Sequence, residues 1–225
     1  NQIAQVSGML QAMVAAAERV FKFLEEPEEI KTIANPKSTK EIKGNVEFEH
    51  IHFGYDEDKI IINDFNADIK AGQKIAIVGP TGAGKTTIVK LLMRFYDVNS
   101  GAILLDGTNI KKFDRGKLRQ VFGMVLQDTW LFNGTVKDNI KYGKEDATDT
   151  EIIEAAKAAH VHHFIKTLPK GYDALIDEES SNISAGQKQL LTIARVILTD
   201  PKILILDEAT SSIDTRTEQQ IQSAM

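Results

Sequence analysis

Gly79-Pro80-Thr81-Gly82-Ala83-Gly84-Lys85-Thr86 is the stretch of this 225-residue sequence that decides its fold. It matches the phosphate-loop pattern G-x-x-x-x-G-K-[ST]. The glycines let the backbone turn tightly, so that its N–H groups point inward at an anion. A helix that begins at Lys85 adds the positive end of its dipole. A plain glycine turn is the alternative, but Lys74–Val78, just before the motif, has the apolar pattern of a buried strand, which is the context that the motif requires.

The side chains of this loop have separate predicted tasks. Lys85 is predicted to reach the β- and γ-phosphates of a nucleoside triphosphate, and the Thr86 hydroxyl is predicted to bind Mg²⁺. The other residues of the loop that are predicted to contact the nucleotide are Gly79, Thr81, Gly82, Ala83, Gly84 and Thr87.

A second apolar strand, Lys202–Leu206, ends in two acids, Asp207 and Glu208. Such a strand can lie beside the phosphate-loop strand and place carboxylates at the edge of the sheet where α/β proteins bind ligands. Asp207 is predicted to hold Mg²⁺, usually through water, and Glu208 to act as general base on the attacking water. Two acids after a strand are also common in surface turns. It is their combination with the phosphate loop that predicts hydrolysis as well as binding.

The composition excludes several other classes of protein. The sequence has no cysteine, which removes disulfides, cysteine zinc sites, iron–sulfur clusters and cysteine nucleophiles. No apolar run is longer than Met13–Ala17, far short of the about 20 residues that span a bilayer. The first residues lack the charged start and apolar core of a secretory signal. The net charge of −5 gives no electrostatic attraction to nucleic acid.

The chain is predicted to have three parts: a helix over residues 1–26, a linker over residues 27–44 and a folded domain over residues 45–225. The helix carries apolar residues at alternating steps of three and four, namely Ile3, Val6, Leu10, Met13, Ala17, Val20 and Leu24. It either lies on its own domain as an amphipathic helix or packs against helices outside this chain.

The domain over residues 45–225 alternates short apolar strands with helices, which predicts an α/β fold with a parallel sheet. The predicted strands are Val46–Phe53, Ile60–Ile62, Lys74–Val78, Ala102–Asp106 and Lys202–Leu206. The predicted helices are Thr86–Phe95, Asp149–Ile165 and Ser184–Leu198. The long helical stretch between the two fully apolar strands predicts an inserted helical subdomain.

The histidines do not predict a metal site. His160, His162 and His163 stand at i, i+2 and i+3, a spacing that does not converge on one ion, and no carboxylate partner is evident. His50 and His52 share one face of a strand and are expected to be solvated.

Asn182-Ile183-Ser184-Ala185-Gly186-Gln187-Lys188-Gln189 resembles the L-S-G-G-Q signature of ABC ATPases. Other landmarks of that family appear in order: Tyr55 resembles the aromatic residue that stacks on adenine, Gln127 resembles the Q-loop residue, and Ser211-Ser212-Ile213-Asp214 resembles the D-loop. Taken singly, Tyr55 could be an ordinary strand-end aromatic, Gln127 a solvated loop residue, and the serine of the signature only a helix N-cap. Their joint order makes residues 45–225 similar to the nucleotide-binding domain of an ABC exporter.

This resemblance implies a P-loop NTPase (RecA-like) core with an antiparallel β subdomain and an inserted helical subdomain, preceded by a long helix. It implies an ATPase that uses ATP and Mg²⁺ to power export, including multidrug export, at the cytoplasmic face of the cell membrane. The implied catalytic residues are Glu208, Gln127 and Lys85. The implied metal ligands are Thr86, Gln127 and Asp207, and the nucleotide contacts beyond the loop are Tyr55, Ser184, Gly186 and Gln187.

The same resemblance implies two partners and no nucleic acid. Residues 1–26 resemble the cytosolic end of the last transmembrane helix, so one partner is a transmembrane domain of the same polypeptide. The other is a second ABC subunit, paired head to tail so that each signature closes over the partner's ATP. The histidine of the family's H-loop has no counterpart, because all five histidines precede Asp207. We therefore expect a longer polypeptide, with membrane helices upstream and a strand carrying a histidine downstream.

Two departures from the family pattern suggest that the second subunit is a different chain. Ala185 stands where the signature has glycine, and a Cβ there is poorly tolerated if φ is positive or if a γ-phosphate approaches closely. Glu179 replaces an arginine in the loop before the signature. With Gln189-Leu190-Leu191, these features resemble bacterial heterodimeric exporters, which have one competent and one degenerate ATP site.

Two other functions compete with a transport motor. One is a soluble ABC ATPase that acts on nucleic acid or the ribosome, and the other is a scaffold that binds nucleotide without hydrolysing it. The helix and linker before the domain favour the transport motor over the soluble enzyme, and Glu208 argues against the scaffold. Hydrophobic segments encoded upstream of Asn1 would discriminate between the first two.

Overall fold

The computed structural model of the chain describes residues 2–26, 28–29, 33–56, 58–126, 129–176 and 183–207. The chain divides into two compact units, Asn1–Ile33 and Ala34–Met225. The predicted D-loop, Glu179, Glu208 and Gln127 lie outside the described residues.

The first unit contains a single described helix, α1 (Gln2–Leu24), as the seam of apolar residues predicts. None of its residues is buried, and even Ile3 and Leu24 are 88% and 68% exposed. No helix in the described part of the chain combines the length and the apolar character that crossing a bilayer requires.

A four-stranded antiparallel sheet opens the second unit, in the order β2-β1-β3-β4. Its strands are β1 (Val46–Phe53), β2 (Ile62–Ile69), β3 (Ser100–Leu105) and β4 (Thr108–Asn109). The buried residues of β1 are Val46, Phe48, Ile51 and Phe53. The step of three between Phe48 and Ile51 is a β-bulge, with His50 at φ +47°, which returns Ile51 to the core face.

The remaining elements follow in chain order. They are α2 (Lys85–Leu92), a 3₁₀ turn (Ile110–Lys112), α3 (Arg115–Arg119), β5 (Phe122–Val125), β6 (Gly134–Thr135), α4 (Val136–Lys141), α5 (Asp149–Ala158), α6 (His162–Thr167), a second 3₁₀ turn (Gly171–Asp173), β7 (Leu175–Ile176), α7 (Ala185–Leu198) and β8 (Ile203–Leu206). β5 and β8 are parallel, and β6 and β7 are antiparallel. The unit is therefore a mixed α/β fold.

The predicted strand Lys74–Val78 is wrong as a strand in this structure. Its residues have no ladder partner among the described residues and are exposed, with Ile75 at 54% and Val78 at 86%. A strand forms only where a neighbour accepts its backbone hydrogen bonds. The sequence suggested that β8 lies beside this segment. In the structure β8 instead pairs with β5, with Val125 opposite Leu206.

The single helix predicted over Asp149–Ile165 is two helices, α5 and α6. His160 adopts the left-handed conformation, with φ +57°, and turns the chain between them. The turn places Val161 and Ile165, both fully buried, in the same core as Ile152 of α5. This core is formed mainly by α4 to α7, whereas a second core lies between the antiparallel sheet and α2.

Helices α4, α5 and α7 begin in the same way. Each starts with a capping box, in which a Ser or Thr side chain accepts the N3 amide and the N3 side chain accepts the N-cap amide. The pairs are Thr135 with Asp138, Thr148 with Glu151, and Ser184 with Gln187. These boxes fix where the helices start.

Candidate nucleotide-binding site

The phosphate loop is shaped by two glycines with left-handed backbones. Gly82 has φ +84° and Gly84 has φ +88°. The Ala83 amide donates to the Pro80 carbonyl at 3.1 Å, which closes a turn, and the Ile88 amide donates to the Gly84 carbonyl at 3.0 Å, which begins α2. The loop therefore feeds directly into the amino end of α2, as the motif predicts.

Gly84 is required for a second reason. A Cβ on this residue would lie 2.7 Å from Ile62 Cδ1 and 3.2 Å from Ile61 Cγ2. The strand β2 thus presses against the base of the loop, and only the absence of a side chain lets the backbone pass.

Lys85 places its ammonium group on the loop itself. Its Nζ donates to the Gly79 carbonyl at 2.8 Å and to the Pro80 carbonyl at 3.0 Å. The first turn of α2 contains no acidic residue. A cation and the free amides of a helix start therefore meet at one place, which suits an anionic phosphate chain.

Tyr55 lies in the loop between β1 and β2 and faces the helix that follows the phosphate loop. Its hydroxyl is 3.4 Å from the Thr87 Oγ1, and the Lys90 Nζ lies 5.9 Å from the centre of its ring. Tyr55 is 44% exposed, so its ring remains available to a ligand. The structure thus brings together two predicted nucleotide contacts, Tyr55 and Thr87, that are distant in sequence.

Asp207 follows β8 at the carboxyl end of the parallel pair. Its amide donates to the Val125 carbonyl at 3.0 Å, so the residues after β5 and after β8 leave the sheet side by side. The buried Gln189 of α7 donates from Nε2 to the Leu126 carbonyl at 3.3 Å and holds the exit of β5. Within the described residues, no hydrogen bond or ion pair joins Asp207 to the phosphate loop.

The donor set fits Mg²⁺. The Thr86 hydroxyl and the Asp207 carboxylate offer hard oxygen donors of the kind that Mg²⁺ prefers, and neither forms a hydrogen bond or ion pair with the described part of the chain. Mg²⁺ keeps several waters and substrate phosphate oxygens, so one or two protein ligands suffice.

A cluster of three or more His, Asp or Glu that could hold a metal does not occur among the described residues. His162 instead has its Nδ1 2.8 Å from the Tyr172 hydroxyl.

The signature segment forms the start of α7. The Ser184 Oγ accepts the Gln187 amide at 3.2 Å, and the Gln187 Oε1 accepts the Ser184 amide at 2.9 Å, which confirms the N-cap interpretation of Ser184. Gly186 is buried. Ala185 is the first residue of α7 and does not have a positive φ. Of the two conditions under which its Cβ would be poorly tolerated, the positive φ therefore does not hold, and the close approach of a γ-phosphate stays a prediction.

The sequence did not indicate that Lys90, Tyr96 and Gln189 contribute to the site. Lys90 and Tyr96 contact the Tyr55 ring, and Gln189 holds the exit of β5. The available signal was the polar Gln189 next to Leu190 and Leu191 at the apolar face of α7. For Tyr96 there was none beyond its position shortly after α2.

The chain resembles known proteins over its whole length. Residues 62–211 match the model of the ABC transporter family. A fatty acid ABC transporter ATP-binding/permease protein of Mycobacterium bovis is 53% identical over 228 residues, which cover 100% of this chain and 35% of that protein. ATP-binding cassette sub-family B member 6 of Xenopus tropicalis is 44% identical over 217 residues, which cover 96% of this chain and 26% of that protein.

A solved structure of a bacterial Atm1-family ABC exporter with ATP bound has a similar fold. The TM-score is 0.83 and the identity 42%, with 96% of this chain and 37% of that chain covered. The chain spans about a third of the length of the first curated relatives it matches, between 35% and 38%.

Proposed function

The chain belongs to the ABC transporter family, as the nucleotide-binding domain of an exporter, and from this premise we propose that it binds Mg-ATP and hydrolyses it to power efflux across a membrane. The observation that carries the proposal is that the phosphate-loop helix packs against Tyr55. α2 begins at the phosphate loop with Lys85, and its Thr87 and Lys90 contact the hydroxyl and the ring of Tyr55. A purine stacked on Tyr55 would therefore lie beside the helix whose first residue, Lys85, is proposed to hold the phosphate chain.

The hydrolytic step uses residues at the carboxyl ends of β5 and β8. Mg²⁺ would be held by Thr86 and Asp207, with Gln127 contributing a further ligand, and it supplies charge neutralisation on the β- and γ-phosphate oxygens. Glu208, next to Asp207, accepts the proton of the attacking water, while Lys85 holds the phosphate chain in place.

A head-to-tail dimer completes the site. Ser184, Gly186 and Gln187 are proposed to close over the ATP of the partner subunit. In support, no hydrogen bond joins the start of α7 to this chain's own phosphate loop within the described residues. We propose that the partner is a different chain with an intact signature, because Ala185 and Glu179 depart from the family pattern whereas this chain's phosphate loop and Glu208 keep it.

The transmembrane partner belongs to the same polypeptide. The Mycobacterium bovis relative is an ATP-binding/permease protein almost three times as long as this chain. The apolar seam of α1 is exposed throughout and suits packing against helices of a membrane domain. We place the domain over residues 45–225 at the cytoplasmic face of that membrane. The comparisons give no support to the alternative of a soluble enzyme that acts on nucleic acid or the ribosome.

The fold that we propose is a RecA-like core with an antiparallel β subdomain and a helical subdomain. The family model over residues 62–211 and the similarity to the solved exporter structure support this fold.

Binding of Mg-ATP to the full-length protein tests the proposal. Lys85→Ala removes the cation that contacts the phosphates and is expected to weaken binding about ten-fold or more, the size of a charge-assisted hydrogen bond. Lys166→Ala, which removes an exposed lysine in α6, is the matched control and should bind as the wild type does. An unchanged ATP affinity in Lys85→Ala would overturn the assignment of the loop.

A further inference from the structure

Three aromatic rings pack together beside the phosphate-loop helix. We call Phe53, Tyr55 and Tyr96 the aromatic cluster. The Tyr55 ring lies 5.0 Å from the Phe53 ring at an interplanar angle of 83° and 5.0 Å from the Tyr96 ring at 81°. Phe53 and Tyr96 are themselves 5.8 Å apart. Tyr55 therefore has an edge-to-face contact with each of two neighbours, the geometry that aromatic pairs prefer.

Both neighbours are fixed by the fold. Phe53 is only 4% exposed and ends β1. The segment after Tyr96 is tied to the same strand end, because the Asn99 amide donates to the His52 carbonyl at 3.1 Å and the Gly54 amide donates to the Asn99 Oδ1 at 2.7 Å. The backbone just after Tyr96 is thus anchored beside Phe53, although the Tyr96 side chain is 44% exposed.

Tyr55 is also contacted at several points along one segment of chain. Thr87 lies in the first turn of α2, Lys90 lies near its end, and Tyr96 stands four residues beyond Leu92. The Tyr55 hydroxyl and ring meet all three. The segment that carries the phosphate-binding Lys85 therefore also sets the orientation of the Tyr55 ring.

We infer that Tyr96 is a positioning residue that holds Tyr55 in the orientation in which it stacks on the base of the nucleotide. This inference rests on the proposed function. A ring that is already restrained loses less side-chain freedom when a base stacks on it, and preorganisation of this kind strengthens binding. Tyr96 acts on the base only, because the phosphate contacts of Lys85 do not involve it.

The test compares two probes on the full-length protein: Mg-ATP and inorganic tripolyphosphate with Mg²⁺, which has the phosphates without the base. Tyr96→Leu is expected to weaken ATP binding about two- to ten-fold, the range of one edge-to-face pair, and to leave tripolyphosphate binding unchanged. Tyr96→Phe keeps the ring and should bind both probes as the wild type does. Tyr96→Met serves as a second ring-removing variant and should reproduce the leucine result.

Phe95→Leu is the matched control. Phe95 is adjacent and 46% exposed, but its ring lies against the Arg119 guanidinium at 4.6 Å and not against Tyr55. This variant should leave the ratio of ATP to tripolyphosphate affinity unchanged. On a Tyr55→Leu background, Tyr96→Leu should have no further effect on ATP binding, because Tyr96 acts through Tyr55.

The outcomes are distinct. Unchanged ATP binding in both ring-removing variants, or an equal loss of ATP and tripolyphosphate binding, would overturn the positioning role. So would additive losses in the Tyr55→Leu, Tyr96→Leu double variant. If the wild-type protein itself binds neither probe, the proposed function fails. If the wild type binds ATP and the Tyr96 variants bind it equally well, only the positioning role of Tyr96 fails.

Discussion

Replacement of Gly84 by alanine is expected to destabilise the protein more than the same replacement at Gly82. The two glycines have nearly the same φ, +88° and +84°, so alanine at either position meets the same left-handed strain, about 1–2 kcal/mol. They differ in the space around them. A Cβ on Gly84 would lie 2.7 Å from Ile62 Cδ1, whereas nothing lies within 4 Å of a Cβ on Gly82. The pair of variants therefore separates backbone strain from crowding.

The crowding has an approximate size. Ile62 is 5% exposed, so its Cδ1 can move away only by disturbing the core between the sheet and α2. Overpacking of this kind costs about 1–3 kcal/mol. We therefore expect the free energy of unfolding to fall by about 1–2 kcal/mol in Gly82→Ala and by about 2–5 kcal/mol in Gly84→Ala. For a domain of this size the two midpoints of thermal unfolding should differ by about 2–12 °C.

Differential scanning calorimetry of the full-length protein measures the two midpoints. Ile62→Val deletes the Cδ1 atom that the new Cβ would meet, at its own cost of about 0.5–1.5 kcal/mol. In the double variant Gly84→Ala, Ile62→Val the two losses should be less than additive, because one removes the cause of the other. Equal midpoints for Gly82→Ala and Gly84→Ala, or strictly additive losses, would refute the crowding.

Three further predictions concern chemistry, the signature and pH. Glu208→Gln keeps the size of the side chain but removes the base, so in the full transporter it should bind ATP and turn over very little; wild-type turnover at that site would mean that another group activates the water. Ala185→Gly should raise the ATPase rate little, because the site that Ala185 covers is proposed to lack a base; a large increase would contradict this. The Lys144 ammonium and the cap of Thr148 lower the pKa of Glu151 from 4.5 to about 2, so its carboxylate stabilises the fold above pH 4.5 and this contribution is lost as the pH falls towards 2. Glu151→Gln should therefore lower the unfolding midpoint at pH 7, and the difference from the wild type should shrink in acid; a difference independent of pH would count against this ion pair.

The features that the sequence predicts well are those decided within a few neighbouring residues. The phosphate loop, the start of α2 at Lys85 and the N-cap at Ser184 each depend on a short motif with its own hydrogen bonds. The strand Val46–Phe53 is also predicted correctly, although its apolar spacing includes a bulge. The family resemblance rests on the same local motifs and is confirmed by the family model over residues 62–211.

The features that the sequence did not predict depend on distant partners. The apolar pattern of Lys74–Val78 predicts that this segment is buried in a sheet, but it does not predict which strand lies beside it. The turn at His160 was also not predicted from the sequence, because glycine is the residue that usually marks a left-handed conformation. At His160 that conformation is stabilised by the burial of α6 in the helical core. The contact of Tyr55 with Tyr96 was not predicted, because it joins the loop after β1 to a segment beyond the end of α2.

The way the two cores are divided along the chain has a consequence for biosynthesis. The core of α4 to α7 is drawn from one stretch of the sequence, Val125–Leu198, and three of its four helices, α4, α5 and α7, start with a capping box. Contacts between neighbours in sequence form quickly, and domains fold as they emerge from the ribosome. We expect this core to resist protease in nascent chains that end near Leu198. β5, by contrast, keeps an open edge until Ile203–Leu206 have been made, so that brief interval is when the nascent chain most needs protection from aggregation.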